Sequence, residues 1–391
     1  MTMSSRRSLQ VAGLFAGIGG FERGLEAAGH KTVLLCEVWD PARRVLKDHF
    51  PVDEMEADIV DLVGLPGDVD VVTAGFPCTD LSQAGQQAGI GGRHSGLVSQ
   101  VFRLLRERAA AGKPVDWLVM ENVPNMLRLD KGWAMGYLQQ RFAQLGMLWA
   151  YRTVDSRAFG RPQRRRRVVL VASSIHDPRS ILFADEAGVP PAETYESDAF
   201  GFYWTEGRTG LGWAQDAVPP LKGGSGWGIP SPPGIWLPGA ATGQAIVMPS
   251  IEDAEELQGF PRGWTAAVEE GRSNGPRWKL VGNAVTVDVA RWVGERLADP
   301  REPILDGFSR ATDGWPAAAF GRGSRIWEVP ASEFPLKGPY THLRQVVDVA
   351  AARPVSHRGI AGFWRRLRKT TLGQYPGFRE AVAAHEKATA S

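Results

Sequence analysis

Leu9-Gln10-Val11-Ala12-Gly13-Leu14-Phe15-Ala16-Gly17-Ile18-Gly19-Gly20-Phe21-Glu22-Arg23-Gly24-Leu25-Glu26-Ala27-Ala28-Gly29 decides how the rest of the chain is read. Its first seven residues read as a strand. Gly17, Gly19 and Gly20 make a tight turn, and a helix then runs to Gly29 as its C-cap. Such a succession brings backbone N–H groups and a helix N-terminus up to a ligand. Residues 31–37 read as a second strand ending in an acid, Glu37, twenty residues after Gly17. That spacing suits a carboxylate holding the two hydroxyls of a ribose. A purely structural turn, with Glu37 on a solvated edge, remains the alternative on pattern alone.

The alternation continues outward. Residues 41–50 read as a helix, 55–59 as a strand edge and 69–74 as a short β-branched strand. Gly75 and Pro77 stop that strand and leave Cys78 on the loop past its carboxyl end, where open α/β sheets gather ligands. A lone cysteine is most often a small buried hydrophobe, but a Gly-Phe-Pro-Cys turn is a poor place to bury a thiol. Residues 86–99 are glycine-rich around Arg93 and His94 and read as a mobile loop before a helix over 96–111. A strand over 116–120 delivers Glu121-Asn122-Val123-Pro124 to the same edge as Cys78. A helix near 136–145 and a strand near 148–154 follow, and Gly160-Arg161-Pro162-Gln163-Arg164-Arg165-Arg166-Arg167 leads into a strand over 168–172. This predicts an α/β protein with a Rossmann-like, doubly wound, mostly parallel sheet flanked by helices.

From about 173 to 243 periodicity is lost, and glycine, proline and tryptophan dominate. Trp204, Trp213, Trp227 and Trp236 argue against plain disorder, which is poor in aromatics. The stretch reads as a separate, loop-rich domain. Residues 252–257 form a short helix, and Arg277-Trp278-Lys279-Leu280-Val281-Gly282-Asn283-Ala284-Val285 opens a helix running to about 297. Beyond 300, Gly362-Phe363-Trp364-Arg365-Arg366-Leu367-Arg368-Lys369 is basic and aromatic, and 377–388 is helical. A solvated helix face and a surface contacting nucleic-acid backbone both fit.

The chain has 391 residues, 43% of them apolar and 23% charged, with no apolar run long enough to cross a membrane. Its opening residues lack the apolar segment of a signal peptide. With only Cys36 and Cys78 there is no disulfide framework and no cysteine metal cluster, so no metal is expected. A reducing, cytoplasmic setting is expected, and it suits a reactive thiol. The net charge of +2 says little about partners.

Cys78, Glu121-Asn122 and the Gln163/Arg165/Arg167 run all fall at sheet edges. A thiolate, a carboxyl group and guanidinium groups in one cleft suit covalent catalysis on a polar ring, and nearby arginines would lower the thiol pKa. Alternation along a strand puts Arg165 and Arg167 on one face, with Arg164 and Arg166 opposite. A basic run on an outer strand is the competing reading.

Phe15-Ala16-Gly17-Ile18-Gly19-Gly20, Gly75-Phe76-Pro77-Cys78, Glu121-Asn122-Val123, Gln163-Arg164-Arg165-Arg166-Arg167, Leu257-Gln258-Gly259-Phe260-Pro261 and Gly282-Asn283-Ala284-Val285 resemble, in order, the motifs of the DNA (cytosine-5)-methyltransferase family. They span residues 9–297. The resemblance implies a class I S-adenosylmethionine-dependent methyltransferase fold carrying a smaller target-recognition domain. Residues 1–174 would be the first part of the catalytic domain, 175–272 the target-recognition domain, 273–299 the return to the catalytic domain and 300–391 an extension of unassigned role. Phe15, Ala16, Gly17, Ile18, Gly19, Gly20, Glu37, Val38, Trp39, Asp58, Ile59, Gly75, Pro77, Asn283, Ala284 and Val285 would hold S-adenosylmethionine. Phe15 and Val38 or Trp39 would lie against the adenine, Glu37 on the ribose and Asp58 on the adenine amino group. Cys78 would attack C6 of a cytosine swung out of duplex DNA. Glu121 would bond N3 and the exocyclic amine, Arg167 would hold O2, and Arg165 would support the pocket. Ser82, Gln86, Arg93, Gln163 and Arg164 would meet DNA, with the loop 82–93 closing over it. Gly13 stands where many relatives carry an acid, which bears on the contact to the methionine amino group. Trp39 stands where an acid often follows Glu37.

Double-stranded DNA is thus the expected partner, with no membrane. One flipped base per enzyme is consistent with a monomer, and a restriction setting would add a cognate endonuclease. Phage self-protection and orphan regulation use the same chemistry. The competing functions are an RNA (tRNA) cytosine-5 methyltransferase and a non-enzymatic DNA-binding relative. The glycine- and tryptophan-rich insert favours a DNA reader, and intact Cys78, Glu121 and Arg167 favour an enzyme.

Overall fold

The computed structural model describes residues 7–76, 96–206, 208, 210–223, 231–268, 275–304, 306–312 and 314–390. Its elements begin β1 (Gln10–Leu14), α1 (Gly20–Ala27), β2 (Lys31–Cys36), α2 (Asp40–His49), β3 (Glu54–Glu56) and β4 (Val71–Ala74). There follow α3 (Val98–Ala110), β5 (Trp117–Asn122), α4 (Trp133–Gln144), β6 (Leu148–Asp155), β7 (Arg166–Ser173), β8 (Phe200–Phe202), β9 (Ala214–Gln215), β10 (Gly234–Trp236) and β11 (Ile246–Met248). Next come α5 (Ile251–Leu257), α6 (Gly275–Asn283), α7 (Val287–Ala298), β12 (Ser309–Arg310), β13 (Ala318–Arg322) and β14 (Arg325–Glu328). The last are β15 (Arg353–Pro354), α8 (His357–Leu367) and α9 (Phe378–Ala388).

The chain divides into two compact units. One comprises Met1–Asp155, Arg166–Val189 and Val285–Lys337, the other Ser156–Arg165, Pro190–Ala284 and Gly338–Ser391. These limits differ from the sequence-based boundaries at 174, 272 and 299. Residues after 300 are shared between the units rather than standing apart.

In the first unit the described residues form a ten-stranded sheet ordered β12-β14-β13-β6-β7-β5-β4-β1-β2-β3. The β5-β4-β1-β2-β3 half is parallel, as the βα alternation predicts. Its strand order reverses between β1 and β4, and such a switch point opens a crevice at the carboxyl ends. The β4 and β5 strands are buried along their whole length, which is why they read as unbroken apolar runs. On the other flank β7 is antiparallel to both β5 and β6, and β13 adds to β6, also antiparallel. The α1 and α7 helices pack so closely that a Cβ on Gly24 would stand 2.5 Å from Ala290 Cβ, and one on Gly20 2.5 Å from the Val285 carbonyl oxygen. Gly24 therefore serves helix packing, and Gly20 serves close packing as well as the turn.

In the second unit an antiparallel sheet ordered β15-β11-β10-β8-β9 is built of strands only two or three residues long. Its core is aromatic: Phe202, Phe363 and Phe378 are fully buried, with Phe202 and Phe378 ring centroids 5.0 Å apart. Trp213 stacks on Tyr375 at 3.7 Å, so part of the tryptophan-rich insert is ordered by residues more than a hundred positions later. A buried ion pair joins Arg277 to Glu255 at 3.0 Å, and Glu255 also accepts from the Thr265 and Gly263 amides at 2.9 and 2.5 Å.

The single helix expected from 277 to 297 is broken into α6 and α7. The carbonyls before the break have side-chain donors. Ala284 O accepts from Arg165 and from Gln258, both at 2.8 Å, and Gly282 O accepts from Arg165 at 3.3 Å. Buried guanidinium and amide groups thus replace the helical N–H donors that a continuous helix would supply.

Candidate active site

The parallel strands bring the glycine turn and two acidic loops to one edge. Leu14 and Cys36 are register partners, as are Cys36 and Glu56, so the segments after β1, β2 and β3 leave side by side. Phe15 takes a left-handed backbone (φ 55°), as do Gly17 and Gly19, which turns the chain into α1. Ala16 N donates to Cys36 O at 3.1 Å. Glu37 closes the arrangement, accepting from Gly17 N and from Trp39 N, each at 2.8 Å. Arg43 donates to the carbonyls of Glu37 and Val38 at 3.1 and 2.5 Å. Asp58 accepts from Val60 N at 2.9 Å and is half-buried, while Ile59 is buried. Around this carboxylate Val38 is 64% exposed, and Phe15 and Trp39 are half-buried. An acid held by main-chain amides beside apolar groups open to solvent suits a ligand with a polyhydroxylated ring and an aromatic base.

Beneath the turn lies an acid absent from the expected site. Glu22 is buried, accepts from Thr73 Oγ1 at 3.0 Å, and its Oε2 has no partner among the described residues. Gly13 and Thr73 are register partners on β1 and β4. A Cβ on Gly13 would stand 2.2 Å from Glu22 Oε1, so the glycine leaves room for the helix acid. Burial, and secondarily Glu26 and Glu37, push the Glu22 pKa up to about 7. The bare signal in the sequence was an acid on the inward face of α1 opposite a strand glycine.

Farther along the edge, Glu121 at the end of β5 and Arg167 near the start of β7 form an ion pair, with Arg167 Nε 2.8 Å from Glu121 Oε1. The antiparallel register of Glu121 with Val169 brings Arg167 to that carboxylate. Both side chains are nearly buried, at 13 and 10% exposure. Asn122 Nδ2 donates to Phe76 O at 3.1 Å, tying the end of β5 to the last residues described before Cys78. Gly75 lies there too, where an added Cβ would stand 3.8 Å from Val285 Cγ2 and 4.0 Å from the Phe15 carbonyl oxygen.

Pro77, Cys78, Ser82, Gln86 and Arg93 lie outside the described residues. The other cysteine, Cys36, is buried, and burial with Glu37, Asp58 and Glu56 pushes its thiol up to about 12. It therefore cannot supply a thiolate near neutrality.

The arginine run alternates in burial, Arg165 being buried and Arg167 half-buried while Arg164 and Arg166 are exposed, but not on one strand. Arg165 precedes β7 rather than sharing its face, belongs to the second unit and grips the Gly282 and Ala284 carbonyls. Gln163 is fully buried there, its side-chain amide without a partner among the described residues. Asn283 and Ala284 also fall in the second unit, and Val285 in the first. Ile18, Gly19 and Gly20 are buried in the turn.

Among the described residues no group of His, Cys, Asp and Glu could hold a metal, and no helix is long and apolar enough to cross a membrane. The family model described as C-5 cytosine-specific DNA methylase matches residues 9–197. The chain is 44% identical over 376 residues to the Type II methyltransferase M2.BsuMI of Bacillus subtilis (strain 168), covering 94% of this chain and 95% of that one. It is 26% identical over 326 residues to the Type II methyltransferase M.NlaX of Neisseria lactamica, covering 76% and 98%. The crystal structure of the S. pombe Dnmt2 methyltransferase superposes with a TM-score of 0.52 at 15% identity, covering 74% of this chain and 97% of that one. That likeness concerns the fold alone.

Proposed function

The chain belongs to the C-5 cytosine-specific DNA methylase family, and we propose that it methylates C5 of a cytosine swung out of duplex DNA, through a covalent bond from Cys78 to C6. It is a DNA (cytosine-5) methyltransferase, of the kind found in Type II restriction-modification. The observation that carries the mechanistic reading is the Glu121–Arg167 pair, set at the sheet edge where Asn122 holds the Phe76 carbonyl, two residues before Cys78 in the sequence.

Cys78, as thiolate, forms the bond to C6, and the ring electron pair moves to C5. Glu121 bonds N3 and the exocyclic amine and supplies a proton as negative charge builds on the ring. Arg167 holds O2 and keeps the Glu121 carboxyl oriented. S-adenosylmethionine, when bound, would supply an electrophilic methyl carbon, its sulfonium taking the C–S electron pair and leaving as S-adenosylhomocysteine. Loss of the C5 proton then returns an electron pair to the ring and expels the Cys78 thiolate. Glu37 would hold the cofactor ribose, Phe15 with Val38 or Trp39 would flank its adenine, and Asp58 would meet the adenine amino group. The amide-held carboxylate beside solvent-open apolar groups fits that ligand. Arg165 acts as a positioning residue for the Gly282–Ala284 carbonyls, and Asn283 and Val285 border the same segment. The second unit would read the target sequence from the major groove, with Gln163 and Arg164 contributing contacts to DNA. In a restriction setting the partner is an endonuclease cutting the same site.

Incubation with labelled S-adenosylmethionine and mixed-sequence duplex DNA, beside Cys78→Ala, tests this. Label on 5-methylcytosine, lost in the variant, is expected. Transfer to RNA in preference to DNA, or label on another base, would overturn the reading.

A further inference from the structure

Between residues 349 and 379 the chain carries seven Lys or Arg and no Asp or Glu, although the whole chain is nearly balanced at 45 to 43. The structure sorts these cations. Arg366 donates to the carbonyls of Glu206 and Trp204 at 2.7 and 2.9 Å, and Arg379 to those of Leu372, Thr370 and Leu367 at 2.7, 3.3 and 3.3 Å. These two arginines therefore already satisfy the last carbonyls of α8 and its surroundings. Five remain, Arg353 on β15 and Arg358, Arg365, Arg368 and Lys369 farther along, all exposed and without an ion-pair partner among the described residues. Burial, and then Arg365 and Arg208, make the charged state of Arg366 less favourable.

The opposite face of α8 is already used. Ile360, Phe363 and Leu367 are fully buried in the aromatic core of the second unit. A helix with its apolar face so committed cannot lie in a lipid surface, which leaves a polyanion as the complementary partner.

We propose that Arg358 and Arg365 on the exposed side of α8, Arg368 and Lys369 just past its C-terminus, and Arg208 form a contact surface for the phosphodiester backbone of duplex DNA. The proposal rests on the reading of the chain as a DNA methyltransferase. It gives residues 357–369 a part in substrate binding: they position the duplex without reading bases.

The test is anisotropy of the full chain on a fluorescent 30-base-pair duplex of mixed sequence, from about 50 to 300 mM salt, for wild type and for Arg365→Ala/Arg368→Ala/Lys369→Ala. Each lost phosphate contact lowers the salt slope by about 0.9. The variant should lose about two to three units of slope and bind about 10- to 100-fold more weakly, equally for all sequences. S-adenosylmethionine binding, the melting temperature and the turnover rate at saturating DNA should not change. A matched control, Arg310→Ala/Arg322→Ala/Arg325→Ala, should keep the wild-type slope. An unchanged slope in the α8 variant, an equal loss in the control, or a loss confined to RNA or anionic vesicles would overturn the proposal. Wild-type protein that methylates DNA alongside any of these leaves the catalytic reading standing. Wild-type protein that neither binds nor methylates DNA removes both.

Discussion

The two compact units solve the same problem, holding loops in place, by different means. In the first, parallel strands of three to six residues, most of them buried, deliver the loops to one edge, and Glu37 fastens two of them through main-chain amides. In the second the strands are too short to set register alone. Its loops hang on single buried polar side chains: Arg277 with Glu255, and Asp216 with His342 and Leu343 N. Many weak, repeated contacts tolerate the loss of one member, whereas a buried charge does not tolerate the loss of its partner.

The comparison can be broken first at the chemistry. Glu121→Gln should lower methyl transfer about 10²- to 10⁴-fold while leaving S-adenosylmethionine binding intact. Activity within threefold of wild type would place the acid elsewhere.

The next largest effect belongs to the second unit. Arg277→Ala strands Glu255 as a buried unpaired charge and should cost about 3–5 kcal/mol. Hydrogen exchange should rise over 250–283 and stay unchanged over 10–49. Uniform loosening of both regions would show that the units are not held independently.

Glu22→Gln sharpens the picture of the first unit. The folded protein keeps a proton on Glu22 up to about pH 7, whereas an unfolded chain releases it near the ordinary 4.5. Stability therefore falls as pH rises between those values, by about 3 kcal/mol once both states are ionised. Urea unfolding should find variant and wild type closest at pH 4 and the variant more stable at pH 8. A constant difference across that range would mean that Glu22 does not titrate there.

The smallest effect concerns His342, whose pKa is raised chiefly by its hydrogen bond to Asp216. Its contribution is fully present below the ordinary 6.5 and lost as pH climbs through the raised value. His342→Gln should therefore cost about 1 kcal/mol or less at pH 6, and nothing at pH 9. A cost that persists at high pH would assign the effect to neutral hydrogen bonding.

Much of the first unit was legible because its signals are local. A β-branched run, three glycines and an acid twenty residues on are contiguous features. The strands, the turn and the position of Glu37 follow from them to within one or two residues. The alternating burial of the four arginines was readable too, although not on the single strand expected. The helix break at Ala284 was not, since it depends on Arg165 and Gln258, whose contact with that carbonyl no local pattern encodes.

The sequence by itself thus determined the α/β class, the order of motifs and the residue types available for methyl-transfer chemistry, because strand and helix periodicities and turn residues act over a few positions. Only the tertiary structure decided that Arg167 meets Glu121, that Gly13 makes room for a buried Glu22, and that α8 completes the second unit with its cations outward. Each of these depends on which distant segment fills a given space. Register, burial and close packing fix that, and they arise only when the whole chain has folded.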